Sequence, residues 1–182
     1  MEVEKLKTTD LSLSVIFAAL YSVIVIVLAP IAFGPVQLRV ADCLIPLAAL
    51  FGWPVIVGVT VGGFLGNAYF WLGPQDVILG PVANLIAATL IFQLRQRQLL
   101  ACVAGALPIG IIVGGYLWLF FPPPDIFGFN MPLWSAMIVS ITISSLVAIA
   151  FIGYALLKAL SRPSITKSLK SFGLRVYVKE KT

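Results

Sequence analysis

The sequence predicts an all-α membrane protein of six transmembrane helices. Three observations carry that prediction. Of the 182 residues, 60% are apolar and 10% charged, and the mean hydropathy is +1.07; a soluble domain carries roughly 25% charged residues. The charges fall in short clusters separated by long uncharged runs. Each run is about as long as, or longer than, the roughly 20 apolar residues that a helix needs to cross a bilayer.

The runs place the helices in order. There are 28 uncharged residues between Asp10 and Arg39, 33 between Asp42 and Asp76, 18 between Asp76 and Arg95, 27 between Arg97 and Asp125, and 32 between Asp125 and Lys158. The first run gives a helix over about Leu11–Ala32. The second is too long for one straight span and contains Gly52-Trp53-Pro54, a turn signal. Splitting it there gives a short helix, about Gln37–Phe51, and a longer one, about Pro54–Leu72. The short one is expected to be tilted or only partly exposed to lipid. The remaining helices fall at Asp76–Leu94, Leu99–Phe120 and Pro132–Leu160. Residues 1–160 thus form one transmembrane domain, and residues 161–182 a basic, polar tail. The N-terminus is expected to stay as a retained helix, because Glu2, Glu4 and Asp10 offset Lys5 and Lys7 and the apolar stretch exceeds a signal-peptide core.

Orientation follows from the distribution of basic residues. With six spans both termini lie on one side. That side collects Lys5, Lys7, Arg95, Arg97, Lys158, Arg162, Lys167, Lys170, Arg175, Lys179 and Lys181, and the other has only Arg39. The positive-inside rule then predicts cytoplasmic termini in the cell membrane. Arg39, Asp42, Asp76 and Asp125 fall at outer helix ends, as do Trp71, Trp118 and Trp134, which suits an interfacial aromatic belt.

Composition also excludes chemistry. The chain has no histidine, which removes the commonest general base and metal ligand. It has no phosphate loop of the G-x-x-x-x-G-K-[ST] type, so it does not itself hydrolyse a nucleotide by that mechanism, and any pumping is powered by a partner, by an ion gradient or not at all. No metal-ligand cluster and no cofactor motif occurs. The net charge of +5 does not point to nucleic acid, because the basic residues lie at chain ends and between apolar runs. A non-enzymatic membrane protein is the expectation, and Cys43 and Cys102, near opposite faces, are expected to be buried free thiols.

The candidate functional residues are the polar ones at membrane depth, where an ionisable group costs about 2.5–3.5 kcal/mol at a helix centre. Arg39 and Asp42, preceded by Gln37, stand three apart and share a helical face. They form either a self-neutralising pair or part of a ligand site, and the two are compatible. Asn67 follows Gly62-Gly63-Phe64-Leu65-Gly66, where the glycines suit close helix packing. Asp76 is placed to cap the fourth helix. Asn84, two turns further on, carries an amide able to donate and accept. Asp125, in a stiff triproline loop, is expected to be solvated. In helix 1, Ser14, Ala18 and Ser22 recur every four residues, which lets another helix approach closely, from this chain or from a partner.

The run Ala29-Pro30, Phe33-Gly34-Pro35, Gln37, Arg39 and Asp42, followed by Gly62-Gly63-Phe64 with Asn67 and then Asp76 and Gly80, resembles the QueT family. These are substrate-binding (S) components of energy-coupling-factor transporters assigned to queuosine precursors. The resemblance covers about Phe17–Leu94. Asp42 stands where the family pattern has Glu, one methylene longer, and Pro81 and Asn84 stand where small or hydroxyl residues are usual. The resemblance implies an S-component-like six-helix bundle with an outward-facing site for a small heterocycle of the 7-deazaguanine type. It implies substrate-binding roles for Gln37, Arg39, Asp42, Asn67, Asp76 and Asn84. It also implies that the Ser14/Ala18/Ser22 face docks on a transmembrane coupling subunit driven by two ATPases. For stacking, the expected aromatic faces are Phe33, Phe64, Tyr69 and Trp71. The competing readings are a non-transport interaction or assembly protein, whose polar residues only pack, and an S component for a different vitamin-like heterocycle.

Overall fold

The computed structural model describes residues 8–32, 38–122 and 131–177. They form helices α1 (Thr8–Val27), α2 (Val40–Phe51), α3 (Trp53–Phe70), α4 (Pro74–Gln93), α5 (Gln98–Leu117), α6 (Leu133–Leu160) and α7 (Pro163–Ser171). Five of these, α1 and α3 to α6, are long and apolar enough to cross a membrane, and α2 is a shorter apolar helix. The six-helix bundle expected from the uncharged runs is present. Apolar side chains such as Val15, Ile16, Val23, Ile111 and Phe151 cover its exterior, as a lipid-facing surface requires.

The boundaries differ from the sequence expectation for identifiable reasons. Helix α1 ends at Val27, and Ala29–Ala32 forms a separate turn. Pro30 lacks an N–H, which is tolerated only in the first turn of a helix, so it sits in the first turn of a new segment and not inside α1. Helix α4 begins at Pro74, with Gly73 at the cap position. Asp76 is therefore not the N-cap but the third residue of the first turn. Helix α5 stops at Leu117, where Leu119 and Phe120 turn back to donate to the Tyr116 and Leu117 carbonyls at 3.0 Å.

Helix α2 is the centre of the bundle. Nearly every side chain from Ala41 to Phe51 is buried, and α1, α3, α4 and α6 pack around it. Its first part, Val40–Leu47, is a 3₁₀ helix, which tolerates Pro46 and repeats every three residues. Opposite it, α6 widens into a π-helical stretch over Leu146–Gly153. There Gly153 allows contact, since a Cβ would lie 2.7 Å from Pro46 Cγ and 2.9 Å from the Cys43 carbonyl oxygen.

Helices α1 and α3 make the closest seam. A Cβ on Gly58 would lie 2.8 Å from the Ser14 carbonyl oxygen, and one on Gly62 would lie 2.7 Å from that of Ala18. Ser22 Oγ donates to the Ala18 carbonyl at 2.8 Å and reaches across to the Gly62 carbonyl at 3.2 Å. Ser14, Ala18 and Ser22 are thus buried within this chain. The four-residue spacing was open to an internal or an external partner helix; the structure fills it with α3. Within this chain the packed helix α3 covers this face.

The tail folds back. After α7, the Tyr177 N–H donates to the Leu50 carbonyl at 2.9 Å, and its ring meets Phe92 edge-on at 5.1 Å. Arg95 lies over the Phe92 ring at 4.4 Å, and Arg175 Nε is 4.0 Å from Asp10 Oδ2. Gly52, between α2 and α3, takes a φ of +71°, and a Cβ there would meet the Tyr177 ring at 2.8 Å. This closes the end of the bundle that carries the basic clusters.

Candidate functional site

At the other end, a cleft of about 470 Å³, its open side included, is lined by Arg39, Asp42, Leu72, Asp76, Ile109, Val113, Leu117, Phe121, Ile141 and Ser145. Five segments build it. Arg39 and Asp42 share a face because three residues are one turn of a 3₁₀ helix. Asp76 enters from the first turn of α4, where the positive end of the helix dipole favours a carboxylate. Ile109, Val113, Leu117 and Phe121 recur every four residues along α5 and just beyond its end, and form an apolar wall. Ile141 and Ser145, again four apart, complete it from α6.

Each carboxylate has one oxygen held by a tyrosine. Tyr21 of α1 donates to Asp42 Oδ1 at 2.5 Å, and Tyr116 of α5 donates to Asp76 Oδ1 at 2.8 Å. Asn84 Nδ2 in turn donates to the Tyr21 hydroxyl at 2.9 Å and to the Val59 carbonyl at 3.3 Å. Asn67 Nδ2 donates to the Asp76 carbonyl at 2.8 Å. The two asparagines are reciprocal: Asn84 of α4 lies against Gly63 of α3, and Asn67 of α3 lies against Gly80 of α4. Asp76 is 1% exposed, yet among the described residues its Oδ2 accepts no hydrogen bond, and Asn67 Oδ1 is likewise buried without a donor. A buried acceptor left open costs about 1–3 kcal/mol, which a ligand donor would recover.

Of the six residues singled out for substrate binding, Arg39, Asp42 and Asp76 line the cleft. Asn67 and Asn84 lie behind it and brace the carboxylate layer. Gln37 lies outside the described residues, as do Phe33 and Asp125. The expected stacking faces are corrected: Phe64, Tyr69 and Trp71 are 48%, 68% and 63% exposed and line no part of the cleft. They fall on outward faces of the α3 end, while Phe121 supplies the aromatic wall. Sequence reasoning missed Tyr21, Tyr116 and Ser145. Tyr21 had a signal, since a hydroxyl at mid-membrane depth on the Phe17/Val25 face needs a partner there. Tyr116, near a helix end, looks like one more interfacial aromatic. Among the described residues, no group of three or more metal-ligating side chains converges, and both cysteines are free.

The model of the QueT transporter family matches residues 11–162. The chain belongs to the QueT transporter family. The match extends the resemblance well beyond α4, to the end of α6, so both the polar residues of α2 and α4 and the apolar wall from α5 and α6 lie within the QueT region. Neither a curated protein nor a solved structure gives a significant match to the chain. Membership of QueT makes the protein a multi-pass membrane transporter component, in agreement with its five candidate spans and short central helix.

Proposed function

We propose that this chain is the substrate-capturing S component of an energy-coupling-factor importer, and that the Arg39/Asp42/Asp76 cleft takes a queuosine precursor of the 7-deazaguanine type. The observation that carries the reading is the cleft itself: two carboxylates and a guanidinium against an apolar wall, in a QueT chain. A guanine-like edge presents adjacent N–H donors, which a carboxylate accepts in parallel, and Asp42 is the candidate acceptor. The ring carbonyl takes a hydrogen bond from Arg39. Phe121 and the α5 aliphatic side chains cover the flat faces. Gln37 adds an amide from the segment leading into α2, and Asn67 and Asn84 act through the backbone and side chains they hold.

The cleft opens to the cell exterior, and both termini are cytoplasmic, on the strength of the basic clusters at the opposite end. A transmembrane coupling subunit and two ATPases energise uptake, which suits a chain without a phosphate loop of its own. The coupling contact uses surface other than the buried Ser14/Ala18/Ser22 face. Calorimetry of the purified protein tests the ligand reading, with a 7-deazaguanine, guanine and an unrelated vitamin. The deazaguanine is expected to bind tightest. Asp42→Asn is expected to cost more than about 1 kcal/mol, since hydrogen bonds to a charged group contribute about 1.5–3 kcal/mol. Equal affinity for all three compounds, or an unaffected variant, refutes the assignment.

A further inference from the structure

Helix α7 begins two residues after the last span, past Ser161 and Arg162. That span, α6, runs for 28 residues. At about 1.5 Å per residue it is about 40 Å long, the depth of a bilayer with its headgroup layers. Trp134, exposed in the first turn of α6, belongs at headgroup level. The far end of α6, and α7 with it, therefore lie at the headgroups of the opposite leaflet. The side chains of α7 divide. Thr166 is buried, and Leu169 packs against the core. Ser164, Lys167, Ser168, Lys170 and Ser171 are exposed, and so are Lys158 and Arg162 just before the helix. Phe172, the residue that follows it, is 77% exposed. Among the described residues, the carboxylate at this end is Asp10, which is buried and 4.0 Å from Arg175 Nε. The exposed charge of the described residues here is all basic.

We infer that α7 is an interfacial helix that binds anionic phospholipid in the leaflet at the basic end, with Arg162 and Lys167 on the phosphates and Phe172 set at the acyl boundary. The combination of side chains decides the occupant. Cations alone would suit an acidic protein surface equally well. An open phenylalanine beside cations, at headgroup depth, fits lipid, which offers negative charge and an apolar layer within the reach of neighbouring side chains. Long basic side chains also keep their charged heads in the headgroup layer while their stems lie along apolar surface. The inference goes beyond the proposed function and does not depend on what the cleft binds.

Two measurements on the full chain test it. In the first, the protein is released from nanodiscs of equal parts phosphatidylglycerol and phosphatidylcholine, and the lipids it keeps are counted by native mass spectrometry. The wild type is expected to keep phosphatidylglycerol in at least about threefold excess, and Arg162→Gln/Lys167→Gln to lose more than about half of that excess. Arg97→Gln, which removes an exposed cation from the α4–α5 turn, is expected to leave the excess unchanged. Equal retention of the two lipids by the wild type, a double variant that keeps the wild-type excess, or an equal loss with Arg97→Gln overturns the assignment to α7. The second measurement places Phe172 and needs no charge removed. A nitroxide is attached at Phe172→Cys in a Cys43→Ala chain, whose remaining native thiol, Cys102, is fully buried. In phosphatidylglycerol nanodiscs it should collide with dissolved oxygen more often than with a water-soluble nickel chelate. The reverse order places Phe172 in water, overturns the lipid assignment, and favours an acidic protein surface as the occupant.

Discussion

Replacing Gly62 by alanine tests whether the α1–α3 seam positions the site. The added Cβ would stand 2.7 Å from both the Ala18 carbonyl oxygen and Tyr21 Cβ, about 0.7 Å inside ordinary contact. Neither neighbour is the flexible end of a side chain, so the helices must part. Overpacking of this kind costs about 1–3 kcal/mol. The shift also carries Tyr21 away from Asp42, so ligand affinity falls together with stability. Gly115→Ala is the matched control, because its Cβ would meet nothing within 4 Å and alanine is the better helix former by up to about 1 kcal/mol. Thermal unfolding in detergent should show Gly62→Ala melting below the wild type and Gly115→Ala at or above it. Calorimetry should show weaker ligand binding for Gly62→Ala alone. Equal melting temperatures for the two variants would refute the claim that close backbone approach at Gly62 holds the seam.

Three further outcomes are expected. Asn84→Leu removes the donors to the Tyr21 hydroxyl and the Val59 carbonyl, and should lower stability by about 1–3 kcal/mol and weaken ligand binding, read by unfolding and calorimetry. Tyr177→Ala removes the ring packed on Phe92 and Arg95; it should cost about 1 kcal/mol in the melt and leave ligand affinity unchanged, because the cleft lies at the opposite end. Gln96→Cys, in the basic α4–α5 turn, should resist an impermeant thiol reagent in intact cells and react after permeabilisation; labelling from outside would reverse the orientation.

The sequence by itself determined the class of this protein and the six helices of its membrane bundle. Clusters of charge can sit only at helix ends in a bilayer, so the uncharged runs measured the spans, and Gly52-Trp53-Pro54 marked where the long run divides. It also marked Arg39, Asp42 and Asp76, because ionisable residues next to apolar spans are costly and few. The tertiary structure decided which polar residues face the cleft and which brace it. Asn67 and Asn84 carry the same amide, yet both use their Nδ2 for bonds between helices. It decided too that the Ser14/Ala18/Ser22 stripe meets Gly58 and Gly62 within the chain, since small-residue spacing states only that some helix comes close. The apolar wall of Ile109, Val113, Leu117 and Phe121 was hidden for a different reason. In water a buried helix face stands out against a polar one, but in a membrane α5 is apolar towards lipid and towards the cleft alike. Periodicity then carries no contrast, and only the packing of α5 against α4 and α6 separates the wall from the lipid face.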